Sequence, residues 1–342
     1  MKHSDSSLSV WLLPVLLLFT AALIPLASSV GAVFIPPGGI LRFFVSAGRE
    51  GLTAAQETIL LQIRLPRILL AGIAGSGLAV SGVIFQGVFR NPMAEPYLLG
   101  VTSGASLGAS LFLLLNLPVL ILPVLGVTVA AFAGGLLSMG LILAVAGRYR
   151  NNIGSLLLAG IAFSSIAQAG VSFLMMLHRD RAERIIFWMM GSFSSADWLR
   201  IGVLLIFLVP SVFFLMLKSR ELNLLALGRE EAHSLGIDPE RESLFLLIIA
   251  CVITSAVVAS SGIIGFVGLM VPHMIRFVTG PDHRRVLILS LPAGAALMIL
   301  SDLVARTLMA PSEIPVGIIT ALLGGPFFLS LLRKNARAGR TL

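Results

Sequence analysis

The sequence predicts an all-α, polytopic membrane protein of about ten transmembrane helices. Three observations predict it. Of 342 residues, 57% are hydrophobic and only 12% are charged, whereas soluble domains carry about 25% charge. Mean hydropathy is +1.01. Several stretches run for about 20 residues with few or no charges, enough to cross a hydrocarbon core of about 30 Å. Lipid offers no partner to a backbone N–H or C=O, so such spans satisfy their polar groups internally, as helices.

The first span covers 8–34. It begins after a basic residue and contains "LASSVGA", which is similar to a signal cleavage site. Its apolar region is longer than a signal core and further spans follow, so it reads as an uncleaved helix. The second and third spans, 64–89 and 98–115, are separated by "RNPMAEP". Pro92 and Pro96 stop helix continuation there, and Asn91 can satisfy the freed backbone groups. Irregular backbone at that depth is tolerated only against protein or water, so this turn is expected to line the mouth of a pathway; a purely structural turn is the alternative. The fourth and fifth spans are 119–146 and 153–177, followed by a helical stretch at 182–191 outside the main spans, and the sixth is 200–218.

A polar segment, "KSRELNLLALGREEAHSLGIDPERES" (218–243), comes next. Leu222, Leu225, Ala226 and Leu235 alternate with charged residues, and Gly228 and Gly236 divide it into two short helices with a turn between. A lid lying in the lipid interface is the alternative reading, but such lids carry more Lys and an aromatic edge. Mixed charge without aromatics suits a protein-docking element. The remaining spans are 243–260, a short Gly/Pro-interrupted 264–278, 286–304 and 315–332. Small residues three or four apart, as in "GIAGSGLAVSG", allow close helix packing. No separate soluble domain interrupts 1–342, which reads as one transmembrane domain with 218–243 as a cytoplasmic segment within it.

With the N- and C-termini cytoplasmic, 15 of the 24 Lys and Arg fall inside and 9 outside, which favours that orientation. The outer face remains basic and calls for a partner. The net charge of +8 fits attraction to anionic lipid heads. Nucleic acid is a poor partner, because no basic, aromatic-interleaved soluble domain exists.

Much chemistry is excluded. The single cysteine, Cys251, forms no intramolecular disulfide, and the five histidines show no helical pair at metal spacing. His273 and His283 flank a turn and read as ordinary loop histidines. The three lysines do not follow a Gly-x-x-x-x-Gly loop, so the chain lacks that route to ATP hydrolysis. Intramembrane carboxylates are scarce. Asp302 is the best candidate for an ion-coupled secondary carrier, which would need ionisable groups along its path. The alternative is a passive wall driven by a partner.

Taken together, "RLPRILLAGIAGSGLAVSGVIFQGVFRNPMAEPYLLGVTSGASLGA" (64–109), "LLLAGIAFSSI" (156–166), "FWMMGSFSSADW" (187–198), "LALGREEAHSLGI" (225–237), "SGIIGFVGLMVPHMIR" (261–276) and "SDLVARTLMAPSEIPVGIITALLGGPFFLSLLRK" (301–334) resemble the FecCD-type permeases, membrane subunits of type II ABC importers for ferric siderophores, haem and vitamin B12. The resemblance covers nearly all of the chain after residue 60. It implies a ten-helix permease of the bacterial inner membrane, working as a homodimer with two cytoplasmic ATPase subunits and a periplasmic or lipid-anchored binding protein. It implies no cofactor and no metal in this chain, ATP being bound by the partner subunit. The cargo implied is an iron chelate, a ferric siderophore or haem, with vitamin B12 the alternative.

The same resemblance assigns residues. Asn91 and Met93 form a cytoplasmic gate, with Asn152, Ile153 and Gly154 as its second layer. Leu227, Gly228, Ala232, Leu235 and Gly236 contact the ATPase, with Glu230 and Glu231 at the polar rim, an arrangement that suits a protein interface. Arg64, Arg67 and Arg306 meet acidic residues of the binding protein, where charge-assisted contacts steer an encounter. Anchoring to phospholipid is the alternative for these arginines. Helix five lines the path with Ser164, Ser165, Gln168 and Ser172, and with Met175 further out. Ordinary interhelical hydrogen bonding is the alternative there.

Overall fold

The computed structural model describes residues 6–48, 51–115, 126–146 and 153–337, all helices and connections. In chain order the helices are α1 (Ser6–Ser29), α2 (Pro37–Val45), α3 (Ala54–Thr58), α4 (Leu65–Phe89), α5 (Val101–Leu115), α6 (Gly126–Ala146), α7 (Ile153–Leu177), α8 (Ala182–Met189), α9 (Trp198–Leu217), α10 (Ser219–Leu227), α11 (Arg229–Ser234), α12 (Pro239–Ser261), α13 (Val267–Thr279), α14 (His283–Thr307) and α15 (Val316–Arg337). Among the described residues, seven helical stretches are long and apolar enough to cross a membrane, and three shorter apolar helices lie at 101–114, 267–279 and 316–331. The set is the all-helical membrane architecture expected from composition.

One expected boundary moves. The second span begins ten residues earlier than 64, because α3 runs into a π-helical segment, Ile59–Arg64, and then into α4 without a break. Thr53 starts it. Its hydroxyl accepts from the Gln56 amide at 3.3 Å, and the Gln56 side chain accepts from the Thr53 amide at 3.1 Å. That reciprocal pair is a capping box. The short helix α2 was not expected; its Ile40 and Phe43 bury against Ile35 and Leu60.

Helix α4 sits at the centre and is buried along most of its length, with α12 and α14 beside it. Helices α1, α6, α7 and α9 are mostly exposed, as suits contact with lipid or another chain. Two close approaches set the centre. At Gly75 an added Cβ would lie 2.2 Å from the Gly294 carbonyl oxygen, so α4 and α14 meet backbone to backbone. At Gly82 it would lie 1.6 Å from the Gly268 oxygen, joining α4 to α13. Lipid gives helices no hydrophobic drive to associate, so small residues supply the contact through dispersion instead.

Candidate functional site

Residues 90–100 hold Asn91 and Met93, the first two residues expected at the gate. Arg90 closes α4 in a left-handed conformation, φ 48°, and the chain turns through Pro92 to a short 3₁₀ helix, Pro96–Leu99. Asn91 Oδ1 accepts from the Met93 amide at 2.8 Å, which folds the turn on itself. Met93 packs against the buried cluster of Leu269, Met270 and Phe328, which Phe266 and Phe327 also flank. His273 meets the Phe327 and Phe328 rings edge-on, at 6.0 and 6.4 Å. Phe266 itself holds φ 69°, a conformation that costs a non-glycine residue about 1–3 kcal/mol and persists only when packing enforces it.

The turn is tied to the α12–α13 connection. Glu95 is half-buried, with Oε1 shut off from solvent. Burial pushes its carboxyl up to about 7, against the lowering effect of the Phe266 backbone amide. The Tyr97 phenol, buried against the Ile264 backbone with Glu95 nearby, is also raised well above its ordinary value. Gln86 Nε2 donates to the carbonyls of Gly268 and Leu269 at 3.3 and 3.1 Å, and Arg276 donates to Gln86 Oε1.

A wide-mouthed cavity of about 470 Å³ opens beside this turn, lined by Tyr97, Ser103, Ile161, Ser164, Ser165 and Gln168. Three of the expected path residues therefore share one wall. Ser172 is exposed further along α7, whereas Met175 packs into an apolar cluster with Leu114, Val171 and Ile185. Tyr97 and Ser103 were not expected. Tyr97 is one of only two tyrosines in the chain and sits in the polar turn, which was the available signal.

The gate's second layer is only partly visible. Asn152 lies outside the described residues, and for Ile153 only its backbone at the start of α7 is described, with Gly154 next to it.

Helices α10 and α11 form the expected knuckle. Gly228 divides them at φ 145°, and Gly236 follows at φ 87°. Leu227 and Leu235 are 62% and 55% exposed, with Glu230 and Glu231 also outward. Two assignments need correcting. Gly228 and Ala232 are buried: Ala232 completely, packed into the core of the bundle, and Gly228 beneath the Glu231 carboxylate. Neither offers surface to a partner.

The outer arginines also turn inward, contrary to the expectation that they present charge outward. Arg67 is buried against Asp302, and its Nη1 reaches Glu313 at 2.7 Å. Arg306 lies 3.7 Å from Asp302 and donates to the Val30 carbonyl at 3.0 Å and to Ala27. Arg64 donates to the carbonyls of Ser28, Ser29 and Val33. For Arg64 and Arg306 the cause is α1, whose last turn leaves carbonyls without helical partners. Cations at a helix C-terminus satisfy them and suit its dipole.

The chain matches the FecCD transport family over residues 16–334. It belongs to that family. Within it, this FecCD chain is 44% identical over 286 residues to the hemin transport system permease protein HmuU of Yersinia pestis, covering 82% of this chain and 85% of that one. It is 42% identical to the cobalamin import system permease protein BtuC of Halobacterium salinarum, over 83% and 76% of the two chains. The Fe(3+) dicitrate transport system permease protein FecD of Escherichia coli is 40% identical, over 80% and 85%. A solved structure described as a metal-chelate type ABC transporter in an inward-facing conformation superposes with TM-score 0.84 at 31% identity, covering 94% of this chain and 98% of that one. The FecCD chain is thus a multi-pass membrane permease of the ABC type.

Proposed function

We propose that this chain is the transmembrane subunit of an importer that carries an iron chelate, a ferric siderophore or haem, into the cell. Two copies would enclose the path, with both termini cytoplasmic, two ATPase subunits below and a binding protein outside. The observation that carries this reading is the α10–α11 knuckle. It exposes Leu227 and Leu235 on either side of Glu230 and Glu231 in the chain, which has no nucleotide-binding loop of its own. Apolar anchors inside a charged rim are what a docking interface needs. Binding of ATP by the partner would shift the knuckle, and the 90–100 turn would respond at the inner mouth.

The cavity chemistry suits a bulky chelate. Ser103, Ser164, Ser165 and Gln168 offer neutral hydrogen-bonding groups without a fixed charge. A wall of this kind passes cargo without holding it. Cobalamin is the second reading, favoured by the 42% identity to a cobalamin permease.

The test is uptake in proteoliposomes holding the permease, its ATPase and its binding protein, with haemin, ferric citrate and cobalamin as probes. ATP-dependent uptake of an iron probe is expected. Uptake of cobalamin alone would favour the second reading. Uptake without ATP would overturn both. Leu227→Asp with Leu235→Asp should release the ATPase from the purified complex, and retention of it would remove the docking assignment.

A further inference from the structure

The knuckle must pass its displacement to the spans, and the structure offers few polar points where it could. One is built with unusual completeness. Asn223, half-buried on α10, donates through Nδ2 to Asp282 Oδ1 at 2.9 Å. Its own Oδ1 accepts from the His283 backbone amide at 2.8 Å and lies 2.9 Å from His283 Nδ1. Asp282 caps α14, its Oδ1 accepting from the Arg284 amide at 3.1 Å. The Asn223 side chain thus holds the first residues of α14 by both ends of its amide.

The apolar side of the same joint is equally tight. Leu222 is fully buried, and a Cβ at Gly87 would come within 2.7 Å of Leu222 and 2.9 Å of His283 Nε2. So α10, the last turn of α4 and the start of α14 meet at one point. One residue before Gly87, Gln86 holds α13 through Gly268 and Leu269. Four residues after it, Asn91 begins the turn toward Met93 and Phe266.

We propose that Asn223 is the positioning residue that couples the ATPase-facing knuckle to the gate, by locking α10 to the N-terminus of α14 at the Leu222–Gly87 contact. This rests on the importer reading above. Coupling between distant sites needs an element whose position both sites bias. A helix held only by apolar packing can slip, whereas an amide bonded at both ends fixes position and direction together. The Asn223 amide is taken up at both ends by Asp282 and His283, so its part is transmission and not ATPase binding.

The chemistry allows a swap. Asn223→Asp places a second carboxylate where Asp282 Oδ1 now accepts, so the bond is lost and two anions face each other. Adding Asp282→Asn lets its Nδ2 donate to the new carboxylate and restores the joint in reversed order; the oxygen replaced is the one that also accepts from the Arg284 amide, so the cap of α14 weakens while the joint returns. Asp282→Asn alone keeps an accepting oxygen and should be nearly silent.

The experiment measures probe taken up per ATP hydrolysed in proteoliposomes of the full complex, using whichever of haemin, ferric citrate or cobalamin the native complex carries. Thermal stability and retained ATPase are read alongside. The single N223D variant should keep its ATPase and its ATP hydrolysis while the uptake ratio falls about tenfold, within the range of ordinary allosteric couplings. The double variant N223D/D282N should return to within about twofold of native. Native uptake that ignores ATP would overturn the importer reading itself. ATP-dependent native uptake with an unchanged ratio in N223D would overturn the joint alone. If N223D fails to fold, the double variant decides: a folded double variant with a low ratio overturns the proposal.

Discussion

Arg67 grips Asp302 through two guanidinium nitrogens, Nε at 3.0 Å and Nη2 at 2.9 Å, in a site from which solvent is almost wholly removed. Arg306 approaches the same carboxylate from one helical turn away. Asp302→Ala would leave two buried guanidinium groups without their anion. A loss of about 3–5 kcal/mol is expected, because breaking a buried pair strands a charge. It would be read as a lower Tm of the purified permease. Glu313→Gln, at the half-exposed end of Arg67, should cost less than about 1 kcal/mol. The same pairing bears on the ion-coupled alternative. Asp302 is held between two cations, so Asp302→Asn should alter stability without introducing or removing dependence of uptake on an ion gradient.

Backbone contact predicts a sharp contrast between glycines. Gly82→Ala forces a methyl group into the Gly268 carbonyl and should destabilise by about 3 kcal/mol or more. Gly202→Ala, in the open on α9, should be neutral or stabilising by up to about 1 kcal/mol. Equal Tm values for the two variants would contradict the packing of α4 on α13.

Beside the 90–100 turn, Gly324→Ala should displace Phe266, since the new Cβ would lie 2.3 Å from its ring. Phe266 then loses the packing that enforces its left-handed backbone. ATP hydrolysis should continue while gating fails, so uptake per ATP should fall by about tenfold. Normal uptake by this variant would separate Phe266 from the gate.

Protonation of Glu95 gives a pH signature. Its carboxyl titrates at about 7 in the folded chain against an ordinary 4.5. Between those values the folded state holds a proton that the unfolded state has released. Its contribution to stability is therefore fully present below about 4.5 and is lost as pH rises through about 7. Glu95→Gln should remove that decline. Tm followed from about pH 5 to pH 8 would reveal it as a difference between the two curves, and parallel curves would refute it.

Much of this was legible in the sequence. Apolar runs located the spans, because a bilayer imposes their length. The prolines at 92 and 96 marked the turn, and the cavity does gather Ser164, Ser165 and Gln168. The early start of the second span was also written, in the Thr53–Gln56 capping pair. What the sequence hid were inter-helix relationships. Nothing in "RLPR" or "SDLVAR" says that the carbonyls closing α1 will claim Arg64 and Arg306, since that depends on how a distant helix end is placed. Likewise, the periodicity of "LGREEAHSLG" marks an amphipathic knuckle. It does not say that Ala232 takes the inner side or that the Glu231 carboxylate folds over Gly228, because both depend on how α11 is placed.

The touching glycines carry a mechanical consequence. Between Gly82 and Gly268 no side chain intervenes to bend, rotate or compress. Two rods in such contact have no spring between them. A shove delivered to the foot of α4 would arrive at α13 with its amplitude intact, and the residue spared from having a side chain is what makes the stroke stiff.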